Sequence, residues 1–344
     1  MDVRSQFSPS GVFLNTASLG LPPARTIEVL GREADRWARG EAGPPDYDVF
    51  IDRARSTFAA LVGVEESWAS IGSQVSPFIG LIAASVPDGG HVVSFEGEFT
   101  SVTFPFLAHA RRGVTVDLVP LEAVADAIDD QCDWVAVSAV QSADGRIADL
   151  DAIVDAAARH GARVLVDMTQ SCGWLPLDAS RFDVTVTGAY KWLCCPRGTT
   201  FMTVRPGVVP DIIPLWANWY AGADVWTSIY GPPLRLADDA RRFDMSPAWL
   251  NWAGTAASLD LVAEVGVAAI GAHDLALSMA ASEALGIEAS DSAILSIDVA
   301  DIDDLGERLD RAGIAAAMRQ GALRVSFHLY NTPDDVEALV AALR

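Results

Sequence analysis

TVTGAYKWLCCPRGTTFM, residues 185–202, is the stretch that decides how this chain folds. The β-branched run DVTVT (183–187) leads into it, and TTFMTV (199–204) leads out of it. Between the two stands Lys191, the only lysine in a chain whose Lys and Arg total 24. On a surface, arginine replaces lysine at little cost. Where a neutral amine must attack a carbonyl it cannot, because guanidinium stays protonated. A sole lysine at the end of a strand is therefore a candidate for amine chemistry. Composition alone leaves chance survival equally open.

Working outward, further β-branched runs lie at 90–95 (GHVVSF), 114–119 (VTVDLV), 133–138 (DWVAVS) and 163–167 (RVLVD), separated by helical segments. The clearest helix is Asp149–His160, with Asp149 as N-cap and Gly161 as stop. Strand–helix alternation predicts an α/β fold with a mainly parallel sheet sandwiched by helices. Ligands of such sheets sit at the carboxyl ends of the strands. Upstream, helices are expected near Ala24–Arg39 and Asp48–Val62, joined by the loop Gly40–Tyr47. Residues 205–245 read as irregular, and a helix should run from Pro247 to about Val265. Beyond it come a helix at 272–285, a strand near Ala293–Val299, a helix at 301–312, a strand at Ala322–Phe327 and a helix at 332–343. The expected organisation is an arm over 1–25, a large domain over 26–246 and a small C-terminal α/β domain over 247–344.

Composition narrows the function classes. The formal net charge is −22, which disfavours nucleic acid and anionic membrane as partners. No uncharged apolar run reaches the roughly 20 residues of a membrane span. The N-terminal residues lack the pattern of a signal peptide, so a cytoplasmic location is expected. The four cysteines form no C-x-x-C pair and the five histidines are scattered, so no metal site is expected.

Two further residues carry chemistry. Asp167 ends the strand RVLVD and should face the crevice that Lys191 faces. A carboxylate there could hold a proton on a pyridine nitrogen, or simply cap a loop. Gln170, three residues on, is a candidate cofactor contact or a turn-stabilising amide.

With FLNTASLGLPP (13–23), VDMTQSCGWLPLD (166–178), GAYKWLCCPRGTTFM (188–202), RRFDMSPAW (241–249) and LRVSFHLYNTPDDVEAL (323–339) in this order, the chain resembles the class V aminotransferase family of fold-type I pyridoxal-phosphate (PLP) enzymes. That family includes cysteine desulfurases, selenocysteine lyases, isopenicillin N epimerases and kynureninases. The resemblance implies a fold-type I PLP-dependent transferase with the cofactor held as a Schiff base on Lys191 and Asp167 at its ring nitrogen. It also implies a phosphate site at a helix N-terminus, here the Val75 backbone and Ser76, where free N–H groups favour an anion. Phe99 matches the ring that stacks on the pyridine. Gln170 matches a contact to the phenolic oxygen, and Ser142 a polar neighbour of that oxygen. Tyr190 stands where a histidine often precedes the lysine and is within reach of the phosphate. Gly188 stands where many members place a serine, with Thr187 as the expected compensation. Ser246 matches a hydroxyl that reaches the partner's phosphate, which implies a homodimer with shared active sites. Arg324 matches the arginine that grips the substrate α-carboxylate as a bidentate fork. Arg319, its neighbour, is expected on a solvated face.

One departure bears on the reaction. Desulfurases carry a nucleophilic cysteine before that arginine, but GIAAAMRQGAL (313–323) is short and has none. Cys194 and Cys195 are expected to pack as small apolar residues. What the resemblance implies is an enzyme acting on an α-amino acid, with carbon–sulfur β-elimination first and transamination or epimerisation as alternatives. A non-catalytic binding or regulatory relic of the fold is the remaining alternative.

Overall fold

The computed structural model describes residues 3–299 and 304–344. In chain order its strands are β1 (Val12–Phe13), β2 (Ala69–Gly72), β3 (His91–Phe95), β4 (Thr115–Val119), β5 (Trp134–Ser138), β6 (Arg163–Asp167), β7 (Val184–Gly188) and β8 (Thr200–Val204). They continue with β9 (Ile294–Ile297), β10 (Ile314–Ala315), β11 (Ala317–Arg319) and β12 (Ala322–Ser326). The helices are α1 (Ala24–Ala38), α2 (Asp48–Leu61), α3 (Val75–Ser85), α4 (Thr100–Leu107), α5 (Leu150–His160), α6 (Trp249–Val265), α7 (Val267–Leu285), α8 (Leu305–Arg311) and α9 (Pro333–Leu343).

Seven strands form one sheet in the order β2-β8-β7-β6-β5-β3-β4. β7, β6, β5, β3 and β4 run parallel, and β8 is antiparallel to both of its neighbours. β5, β7 and β8 are buried along their whole length. Central strands covered on both faces need unbroken apolar or β-branched runs, and that is what their sequences supply. Two apolar clusters sandwich this sheet, one around Phe58, Phe201 and Trp252 and the other around Phe78, Phe106 and Phe243. A three-stranded sheet, β11-β12-β9, carries a third cluster with α7 and α9. The α/β fold with a mainly parallel, helix-covered sheet is thus present.

Local chemistry explains several boundaries. The Asp149 side chain accepts from Ala152 N at 2.9 Å, and α5 stops at Gly161 with φ +76°. β2, which the sequence reading did not find, has little β-branched character of its own. It exists through pairing with β8, and Asp244 fixes it by accepting from Ile71 N at 2.9 Å. Asp244 also takes a two-pronged ion pair from buried Arg55 (3.1 and 2.6 Å), tying the end of the irregular 205–245 stretch to the sheet.

Other expectations need adjustment. The N-terminal arm contributes β1, which pairs in parallel with β10 near the other end of the chain. α7 begins at Val267, five residues before the expected start, directly after α6 at a 79° bend. α6 packs across α1 and α2. The helix expected at 301–312 is seen as α8, and residues 301–303 lie outside the described residues. Among the described residues no single helix is long and apolar enough to cross a membrane.

Candidate active site

The carboxyl ends of β2, β5, β6 and β7 open on one cavity of ≈ 320 Å³. Each strand delivers a side chain or a loop to it. β6 ends on Asp167, and β5 ends on Ser138, its register partner. Three residues beyond β7 stands Lys191. Beyond β2, residues Ser73–Ser76 enter the cavity as the chain turns into α3. The two residues singled out from opposite ends of the sequence argument, Asp167 and Lys191, therefore share one wall-to-wall space.

Both are buried, 5% and 6% exposed. Burial raises the Asp167 carboxyl to about 6. Hydrogen bonds from Thr169, one of them from its backbone N–H at 2.8 Å, pull against this. Burial lowers the Lys191 amine to about 8. Asp167 opposes that shift, and Arg324, Arg319 and Arg197 add to it. A buried amine whose neutral form is accessible near neutral pH is what nucleophilic attack on a carbonyl requires.

This gives a first prediction. In the protein freed of cofactor, acylation of Lys191 by a small activated ester should rise with pH and reach half its plateau near pH 8. Peptide mass spectrometry reads it cleanly, because the chain has no other lysine. A rate still climbing steeply at pH 10 would mean an ordinary, solvated amine.

The remaining candidates fall into three groups. Val75 and Ser76 lie in the first turn of α3 and line the cavity, with Ser73 and Gln74 beside them. Phe99 and Tyr190 also line it. Phe99 is 49% exposed, so it is no ordinary core residue, and Lys191 Nζ lies 5.6 Å from its ring centroid and 5.8 Å from that of Tyr190. Ser142 and Gln170 line it as well, but they are already engaged. Gln170 donates to Ala17 O (3.0 Å) and Ser142 Oγ (2.8 Å) and accepts from Trp192 Nε1 (2.9 Å).

Arg324 and Ser246 lie outside the cavity lining. Arg324 sits one layer behind Ser142, donating to its carbonyl and to its Oγ (3.2 Å). It is 2% exposed and has no carboxylate partner among the described residues. Ser246 is exposed, in a shallow groove with Pro77 and Trp216. Thr187 is buried and does not line the cavity. Thr169 occupies that place instead, accepting from Gly188 N at 2.9 Å. Arg319 is exposed as expected, yet it does not point away from the site, since it reaches Ser18 Oγ at 3.3 Å. Cys194 and Cys195 are buried, among Phe7, Leu261 and Tyr330 and in the main core respectively, and neither lines the cavity.

Three supporting residues escaped the sequence reading. Buried Glu98 accepts from Phe99 N (2.7 Å), Ser138 N (2.7 Å), Ser138 Oγ (2.6 Å) and Gln141 Nε2 (3.1 Å), fixing the Phe99 turn to the end of β5. Arg197 enters the cavity with its guanidinium 5.1 Å from the Tyr190 ring centroid. His328 faces Asp274 Oδ2 through Nδ1 and the Trp192 carbonyl through Nε2, both at 3.0 Å. Two acceptors on two ring nitrogens define an imidazolium. Burial opposes that charge, but Cys194 and Asp274 outweigh it and lift His328 to about 10. The carbonyl next to Lys191 is thereby pinned across the molecule. An acid beside an aromatic and a PRG turn were visible signals for Glu98 and Arg197. The His328 contact joins residues 136 positions apart and left none.

The family model for aminotransferase class-V matches residues 50–339. The chain belongs to the class-V aminotransferase family. An uncharacterised aminotransferase of Bacillus subtilis (strain 168), YcbU, is 28% identical over 82% of this chain and 80% of its own length. Isopenicillin N epimerase of Streptomyces clavuligerus is 25% identical over 99% of this chain and 96% of its own. The cystine C–S lyase C-DES, seen with its product cysteine persulfide, superposes with a TM-score of 0.87 at 20% identity over 97% of both chains, which establishes the shared fold. Another structure of C-DES carries glycine covalently linked to its PLP cofactor.

This class-V protein is a PLP-dependent enzyme of fold-type I, which displaces the alternative of a non-catalytic relic. Its own residues fit the cofactor. Asp167 is a buried carboxylate with no cation in ion-pair contact among the described residues, and its chemistry suits a pyridinium N–H. Lys191 offers an amine in the same space, and the first turn of α3 offers free N–H groups for a phosphate.

Proposed function

We propose that this class-V enzyme acts on an α-amino acid as a carbon–sulfur β-lyase. The observation that carries the reading is Lys191, the single amine in the cavity, buried and tuned towards its neutral form. One amine base supports proton removal from one face of Cα, followed by loss of a β-substituent or proton return on the same side. Epimerisation needs a second base opposite, and the cavity's other titratable groups are Asp167, Tyr190 and Arg197. Transamination is therefore the second reading and epimerisation the third. Sulfur transfer through a persulfide has little support, since Arg319 stands in a cysteine-free hairpin and Cys194 and Cys195 are buried away from the cavity.

When bound, PLP supplies an electron sink for the charge that develops at Cα. In our reading Asp167 holds a proton at the ring nitrogen, Phe99 covers the ring face, and Val75 N–H and Ser76 take the phosphate. Gln170 and Ser142 face the phenolic oxygen, and Tyr190 stands beside Lys191. Arg324 takes the α-carboxylate once Ser142 yields. Lys191 Nζ removes the α-proton and, as the ammonium, protonates the departing thiolate. Incubation with single amino acids separates the reactions. Pyruvate, ammonia and a free thiol support elimination. Amino-group transfer to an added keto acid, with no thiol, would replace it by transamination, and inverted substrate by epimerisation.

We further propose a cytoplasmic homodimer in which Ser246 meets the phosphate in the partner's site, consistent with its exposed position outside its own cavity. PLP content should then fall together with the dimer across a dilution series read by sedimentation. A monomer that retains full PLP would refute the shared site.

A further inference from the structure

Two guanidiniums converge beside the proposed carboxylate site with no acid in contact with either among the described residues. Arg324 Nη2 donates to Ser18 Oγ at 2.7 Å and Arg319 Nη2 donates to the same oxygen at 3.3 Å, so the two nitrogens lie within about 6 Å of each other. A serine hydroxyl satisfies their hydrogen bonding but not their charge. Neither arginine has a carboxylate in ion-pair contact among the described residues, although the chain holds 46 acids against 24 Lys and Arg.

The placement is built into the fold. Arg319 ends β11, and Ala322, its register partner, begins β12. Gln320 (φ +48°) and Gly321 (φ +87°) make the connecting turn in the left-handed region, the tight hairpin geometry that holds both ends in fixed register. Ser18 is held from the other side. Its neighbour Ala17 gives its carbonyl to Gln170 Nε2, and Gly20 N donates to Tyr190 O at 2.9 Å. Gly20 approaches so closely that a Cβ there would stand 1.9 Å from the Lys191 carbonyl oxygen. The arginine pair is thus tied to the segment that bears the amine.

We propose that the substrate is an α-amino acid whose side chain carries a second anionic group, and that Arg319 binds that group while Arg324 binds the α-carboxylate. This rests on the amino-acid reading above and narrows its substrate class. The buried fork of Arg324 suits the carboxylate common to all α-amino acids. The exposed guanidinium of Arg319, displaced from it by one hydroxyl, suits an anion a few bonds further out.

The test uses holoenzyme and two ligands of one shape, S-carboxymethyl-L-cysteine and its neutral amide, S-carbamoylmethyl-L-cysteine. Binding is read from cofactor absorbance, and kcat/KM where turnover occurs. Wild type should prefer the charged ligand by about tenfold or more, the scale of one charge-assisted hydrogen bond, and added salt should shrink that ratio. In Arg319→Gln the ratio should fall to about one, and Arg319→Lys should retain part of it. Equal binding of the two ligands by wild type overturns the proposal while leaving the amino-acid reading intact. So does an Arg319→Gln variant that weakens both ligands equally, since Arg319 would then share the α-carboxylate. If neither these ligands nor neutral amino acids such as S-methyl-L-cysteine perturb the cofactor, the amino-acid reading itself falls and this proposal with it.

Discussion

Lys191→Ala should abolish covalent capture of PLP and lower turnover by at least about a thousandfold, the combined scale of losing a general base and a nucleophile. Borohydride treatment of the wild-type holoenzyme should add the mass of the reduced cofactor to the peptide containing Lys191, and the variant should show no such peptide. The measurement has no background from other side chains, since the chain has no other lysine. The variant should still fold. Lys191 makes no side-chain ion pair among the described residues, and its backbone carbonyl keeps its bond from Cys194 N at 3.1 Å. A wild-type protein that stays colourless with added PLP, or a variant that retains turnover, would remove the lysine from the centre of the chemistry.

Asp167→Asn should cost at least about a hundredfold in rate with the fold retained, the scale of removing one charge contact that strengthens as charge develops. It should also move Lys191. The Asp167 carboxylate holds the amine up against burial and against Arg324, Arg319 and Arg197. Without that charge the half-plateau of amine acylation should shift to lower pH than about 8. A shift upward, or none, would place the carboxylate outside the field of the amine. Turnover within a few-fold of wild type would mean another group keeps the ring nitrogen protonated.

Six of the seven strands of the large sheet and most of its helices were legible because each carries its own pattern. β5 and β7 read as strands from side chains that must be buried on both faces, and α5 from Asp149 and Gly161 at its ends. β2 was not legible, since four residues without a strong pattern become a strand only against β8. β11 was missed for the same reason, although the Gln-Gly turn at 320–321 was a usable signal. At the site, Lys191 and Asp167 could be named because one follows a strand and the other ends one, and both strands point at the same sheet edge. The position of Arg324 behind Ser142, the approach of Arg319 to Ser18, and the hold of His328 on the Trp192 carbonyl could not.

By itself, the sequence determined the layered α/β architecture and which amine and which acid meet at its edge. Local periodicity and strand ends suffice for that, because a parallel sheet collects its carboxyl ends on one side. Tertiary structure alone decided the charge state and the reach of the groups around them. The lowering of Lys191 to about 8 arises from burial and from the charges of Arg324, Arg319 and Arg197, with Asp167 pulling the other way, and these groups come from different elements. Desolvation and Coulomb interactions act through space, with no dependence on order along the chain, so no window of sequence contains them.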